Sequence, residues 1–138
     1  MASGSIEFND ANLPLVVVKG HGTLAMDECK QQCGGFERLM ADDARYVAII
    51  DYRDCKLKAS LAVHRYLGQW ARDHRDAMHR CSPASAILIR SHLLKAVINP
   101  ILKLMRLPND VRVFNDESSA RDWLRGIAAQ HGLDSGPI

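Results

Sequence analysis

Hydrophobic and polar positions alternate between two periods along this chain, and the alternation itself predicts the fold. Ile6 to Asn9 and Leu15 to Lys19 read as two strands around Asp10-Ala11-Asn12-Leu13-Pro14, a link short enough that they are expected to pair as an antiparallel hairpin that ends at Gly20-His21-Gly22. A first helix is expected from about Ala25 to Ala41, with Thr23 as its cap and Asp27 and Glu28 in its first turn, where the helix dipole favours acids. Gly34 and Gly35 weaken its middle. Tyr46 to Tyr52 is the third strand, and its run Val47-Ala48-Ile49-Ile50 is apolar on both faces, as a strand buried between layers must be.

The connection Arg53-Asp54-Cys55-Lys56 leads to a long second helix from about Ala59 to Met78. Its apolar stripe is Val63, Tyr66, Leu67, Trp70, Ala71, Ala77 and Met78, and Ser82-Pro83 stops it. Ala84 to Arg90 is a fourth strand, and its run Ala86-Ile87-Leu88-Ile89 marks it as central too. The third helix, about Leu93 to Met105, is apolar almost all round, more so than one sheet can cover, and Pro100 is expected to kink or divide it. In Val111 to Phe114 a last strand runs straight into Asn115 and Asp116, which can cap a helix from Glu117 to His131. Strands feeding helices in this order predict a single-domain α/β fold: a mostly parallel sheet of about five strands, an N-terminal antiparallel hairpin and four helices. The domain is expected to span residues 6–132, with a disordered start over 1–5 and a flexible tail over 133–138.

Composition narrows the function more than it defines it. The chain has 138 residues, enough for one self-sufficient core, and its longest apolar run is far short of the roughly 20 residues that span a bilayer. With neither a basic start nor an apolar leader, it is expected to be cytoplasmic, with Cys29, Cys33, Cys55 and Cys81 reduced. Cys29 and Cys33 share a helix face, but they fall in line with Ala25, Phe36 and Met40, and no paired histidines complete a ligand set; core cysteines and no metal are expected. His74, on the apolar stripe, is expected to be an interior or boundary side chain. No cofactor motif is present.

Net charge is +2, unevenly placed. Between Lys56 and Arg106 ten basic side chains stand against two acidic ones, a balance of +8; the remainder carries −6. A basic side would suit an anionic ligand, an acidic partner or peripheral contact with a membrane, whereas scattered charge would serve solubility alone. Nucleic acid is not expected as a partner, because the basic residues are not interleaved with aromatics.

Three segments carry a resemblance: Val16-Val17-Val18-Lys19-Gly20-His21-Gly22, Val47-Ala48-Ile49-Ile50-Asp51, and Val113-Phe114-Asn115-Asp116 followed by Ala120 and Trp123-Leu124. With the order of elements, they make nearly the whole chain resemble the STAS superfamily, in particular its SpoIIAA-like branch, related to bacterial anti-sigma-factor antagonists. The resemblance implies a small α/β domain that is not an enzyme and works by binding another protein or a small ligand. Antagonists switched by phosphorylation have an Asp-Ser-Ser-Gly-like segment after the third strand. Here the stretch is Cys55-Lys56-Leu57-Lys58-Ala59-Ser60-Leu61-Ala62, which puts Leu61 at the usual phosphoserine and Ser60 just before it. Ser60 is therefore the candidate phosphorylation site, with Lys56 and Lys58 nearby, and a simple helix cap is the alternative.

Open α/β sheets hold ligands beyond the carboxyl ends of their strands. That edge gathers the candidate ligand or anion residues His21, Asp51, Arg53, Arg90, Ser91, His92 and Asn115; alternatively the acids pair with the arginines and the serines cap helices. Asp51, His92 and Asp116 would be the residues of a small hydrolase or transferase. On the third helix Leu93, Leu94, Val97, Ile98, Ile101, Leu102 and Met105 are candidate interface residues for a protein partner or a homodimer. The same excess of apolar surface would equally suit a small-molecule or lipid carrier with a cavity beneath that helix.

Overall fold

The computed structural model describes residues 4–138, and residues 1–3 of the expected disordered start lie outside the described residues. A five-stranded sheet runs in the order β1 (Ser5–Asn12), β2 (Leu15–Leu24), β3 (Val47–Leu57), β4 (Ala84–Leu88) and β5 (Asp110–Phe114). β1 is antiparallel to β2, and the other neighbours are parallel. The helices are α1 (Met26–Ala41), α2 (Leu61–Asp73), α3 (Arg75–Cys81), α4 (His92–Met105) and α5 (Glu117–Gln130).

Chain order equals spatial order, and this decides where the helices go. Parallel crossovers are right-handed, so a sheet built always in one direction receives all its connecting helices on one face. α1 to α4 accordingly cover the face of Val16, Val18, Ala48, Ile50 and Ile87. Only α5, which follows the last strand, covers the other, where Leu124 lies against a surface kept low by Ala84 and Ala86. Ala120 and Ala128 allow the same close approach from the helix side, and all five residues are inaccessible to solvent.

Several expected boundaries are corrected. β2 does not end at Gly20-His21-Gly22, nor is Arg53-Asp54-Cys55-Lys56 a connection: past an irregularity between Lys19 and His21 the two strands pair on, His21 opposite Asp54 through Leu24 opposite Leu57. Backbone pairing carries this extension where side-chain hydrophobicity does not. Thr23 therefore belongs to β2 and caps nothing; Ala25 precedes α1, and Glu28 Oε1 accepts its backbone N–H at 2.8 Å. The expected single helix over 59–78 is two, which makes five helices instead of four. His74 breaks it: its backbone N–H and its ring Nδ1 both bond to the Trp70 carbonyl, at 3.0 and 2.8 Å, and the ring stacks on the Trp70 indole.

Pro100 does not divide α4, because it and Ala96, whose carbonyl it leaves without a helical donor, are both exposed to water. The C-terminal residues are docked, with Ile138 buried under α5 and its backbone oxygen accepting from Arg121 and Arg125 at 3.2 and 2.9 Å. Gly35, which looked like a weak point of α1, is a seat: a Cβ there would lie 2.5 Å from the Phe8 ring, which packs edge-on against Phe36 at 5.1 Å.

Candidate functional site

At the carboxyl edge of the sheet the structure joins some of the expected residues and neutralises them in pairs. Arg53 grips Asp51 with Nε and a terminal nitrogen at 2.9 and 2.8 Å and reaches Glu117 at 3.4 Å, which in turn accepts from Arg121 at 2.8 Å. Burial pushes the Asp51 carboxyl up, but the Arg53 hydrogen bonds and charge outweigh it and hold the group below the usual carboxylate range. Arg90 meets Asp54 at 3.4 Å, and His21 meets Glu7 at 3.3 Å. Ser91 caps α4 by accepting from the Leu93 N–H at 3.1 Å, and Asp116 caps α5 by accepting from Ser119 at 2.8 Å. Ser60 caps α2, accepting from Val63 at 3.2 Å. His92 and Asn115 are exposed beside these caps.

Asp51 lies on the α5 face and His92 on α4, and no described hydrogen bond or ion pair joins Asp51, His92 and Asp116. Because the parallel strands never reverse direction, the sheet has no switch point at which a crevice would open at this edge. A polar cleft of about 300 Å³ does lie on the α5 face, with Lys19, Asp51, Glu117 and Arg121 in its walls.

The helix-rich face holds space of another kind. Beneath α4, bounded by α1, α2 and β2 to β5, is a cavity of about 140 Å³ whose walls are mostly apolar: Phe36 from α1, Val63, Leu67 and Trp70 from α2, Ile98, Ile101, Leu102 and Met105 from α4, and Ile50, Ile87 and Val111 from the sheet. A void near 150 Å³ with such walls is large enough for a benzene-sized molecule. The four interface candidates on α4 named here thus face inward; Leu94 is also buried and Val97 half-buried, while Leu93 projects outward, 81% exposed.

Polar groups sit at the cavity's two ends. Near the carboxyl edge Tyr52 donates to Gln32 Oε1 at 2.7 Å beside Cys29, Cys33 and Lys58. At the opposite end are Tyr46, Ser82, Ser85 and Asn109. Asn109 donates to Ser82 Oγ at 3.3 Å, and its Oδ1 is buried without a partner. Burial raises the Tyr46 phenol, with the Ser82 hydroxyl as its hydrogen-bonding neighbour. Burial likewise pushes the Cys33 thiol up to about 12, and burial followed by Asp51 and Asp54 does the same for Cys55, so neither is a nucleophile near neutral pH. Among the described residues no group of three or more His, Cys, Asp or Glu side chains could hold a metal ion, and no helix is long and apolar enough to cross a membrane.

Asn109 did not stand out in the sequence, where Leu107-Pro108-Asn109-Asp110 reads as an ordinary turn. The available signal was positional: Tyr46 and Asn109 immediately precede β3 and β5, and Ser82 stands two residues before β4.

No protein-family model and no curated protein matches the chain. Among solved structures it is similar to an uncharacterized protein from the DUF3478 family with a SpoIIAA-like fold from Shewanella loihica PV-4, with a TM-score of 0.62 and 20% sequence identity over 90% of this chain and 98% of that one. The fold is thus SpoIIAA-like, as the residues led one to expect.

Proposed function

We propose that this chain is a non-enzymatic binding domain that takes up a compact, mainly apolar small molecule beneath α4. The observation that carries the reading is the 140 Å³ cavity with mostly apolar walls, since protein interiors ordinarily close to crystal-like density. Its position under the helix with the largest apolar excess explains why Ile98, Ile101, Leu102 and Met105 line a space instead of filling it. The charged edge of the sheet is then structural, because its arginines already hold carboxylates.

Trp70 lines the cavity, and Trp123 packs on the opposite face against Phe114, so a Trp123→Phe protein reports from the cavity alone. Titrating it with toluene is expected to give a saturable change in Trp70 fluorescence that Val63→Phe abolishes. A change that rises linearly without saturating sinks the proposal. Native mass spectrometry of gently purified protein reads any molecule it retains.

A second reading, a regulatory role through protein contact, is favoured by one observation. Leu61 and Leu93 stand 65% and 81% exposed at the starts of α2 and α4, among Lys58, Arg65 and Lys95. A homodimer through this surface would appear as concentration-dependent sedimentation that Leu93→Asp removes; a monomer at all concentrations would leave only a different, acidic protein as the partner.

A further inference from the structure

We propose that the molecule held beneath α4 is an acid, with its apolar body in the cavity and its carboxylate at the rim against the ammonium of Lys58. This rests on the cavity being a binding site and names the charge of what it binds.

The wall of the cavity is almost free of charge, and the charge it has is of one sign. Among the described residues that bound it, Lys58 is the one charged side chain, with no aspartate, glutamate, histidine or arginine beside it in the wall. The backbone fixes where Lys58 stands: it follows the last residue of β3, and its N–H donates to the Leu24 carbonyl at 2.8 Å. Leu24, Leu57 and Ala59 border the space with it. Lys58 is also exposed to solvent, so the wall comes to the surface at this point. A lysine suits such a rim, because its hydrocarbon stem lies along apolar surface while its ammonium stays in water. Arg53 and Arg90 at the same edge of the sheet hold Asp51 and Asp54. Among the described residues no carboxylate pairs with Lys58.

Two neighbours add to the same preference. α2 starts at Leu61, three residues beyond Lys58, and no acidic side chain in its first turn offsets the positive end of its dipole. At this end of the cavity Tyr52 donates to Gln32 Oε1 at 2.7 Å, so that acceptor is already taken. The class of ligand follows from sign, number and room. An amine would meet a like charge at the rim and no carboxylate in the wall, whereas an acid meets an unpaired ammonium without leaving water. A lysine is a single point charge, which matches a singly charged carboxylate better than a doubly charged phosphate. The volume limits the apolar body to about one aromatic ring, so the ligand is a small aromatic acid or a comparably compact aliphatic one.

The test compares phenylacetate, phenethylammonium and toluene, which share one ring and differ in charge, on the full chain by isothermal titration calorimetry at neutral pH and low salt. The wild-type protein is expected to bind phenylacetate about fivefold more tightly than phenethylammonium, the upper end for a partly exposed ion pair. Lys58→Met is expected to lose that preference and Lys58→Glu to reverse it, both with the wild-type affinity for toluene, since the side chain at 58 is exposed. Equal binding of the two ions by the wild-type protein, binding of toluene alone, or a preference that survives Lys58→Met overturns the role of Lys58 and leaves the cavity reading intact. Binding of none of the three overturns both. The wild-type protein also gives an answer without a variant: about 0.5 M salt is expected to erode the preference, because a pair at the rim is screened, and a preference that salt leaves unchanged counts against the proposal.

Discussion

The two faces of one sheet are packed by opposite means. On one, a single helix settles onto a surface flattened by Ala84 and Ala86, with Leu124 fully buried at the contact and the polar cleft beside it, towards β1 and β2. On the other, four helices bring far more apolar bulk, including Phe36, Trp70 and Met78, and still enclose a cavity. Quantity of hydrophobic side chain does not determine tightness. One helix with alanines at the contact can approach a sheet closely, whereas several helices packed over one face can leave a gap where they converge. The contact beneath α5 is thus the closer one, and the crowded face has room for a ligand.

The sharpest way to break this comparison is to truncate one residue on each face. Leu124→Ala is expected to cost about 4 kcal/mol, because the tight face cannot collapse into the space, and Ile101→Ala only about 2 kcal/mol, because its surroundings are already part empty. Urea unfolding of the two variants decides; equal costs would mean that the faces are equally packed. The next comparison enlarges a side chain on each face instead of truncating it. Ala120→Leu overpacks the tight face at a cost of about 2 kcal/mol, while Ile98→Phe, growing into the cavity, is expected to change stability by less than about 1 kcal/mol, as thermal unfolding would show.

Smaller still is the acid response of the α5 face. The Asp51 carboxyl is held below its unfolded value of about 3.9, so the native state binds the fewer protons; its contribution is present above that pH and is lost as pH falls through the folded value. Asp51→Asn is expected to lower stability at neutral pH and flatten the acid limb of a stability profile, and an unchanged limb would contradict the Arg53 pairing. The least effect belongs to the thiols of the helix-rich face. With Cys33 near 12, iodoacetamide at pH 8 should leave it unmodified in the native protein and label it once unfolded, as peptide mass mapping would show.

What could be read in the sequence were features that side-chain pattern controls. Val47 to Ile50 and Ala86 to Leu88 are apolar on both faces because both faces are covered, and Ser82-Pro83 stops a helix wherever it occurs. What could not be read depends on partners remote in the chain. The joint extension of β2 and β3 runs through Gly20, His21, Asp54 and Lys56, whose side chains say nothing of pairing. The break at His74 hangs on one ring bonding one carbonyl, and the docking of Ile138 on two arginines of α5. For the candidate site, the apolar excess of the third helix did point to the cavity, but the strand-end edge drew attention to charges that the folded chain pairs with one another. Asn109 was silent, because an orphaned atom exists only once everything around it has been placed.

The seat of Phe8 on Gly35 has a consequence for colloidal behaviour. β1 is the edge strand that shields β2, and besides its backbone ladder to β2 the aromatic ring seated on bare helix backbone fastens it to α1. A side chain at position 35 would lift the ring and loosen the strand, baring a row of unpaired amides beside Val16, Val17 and Val18. Such a protein would retain most of its fold and still come out of solution, by adding strands from other molecules to its open margin. Gly35 is in this sense a safeguard against fibrils.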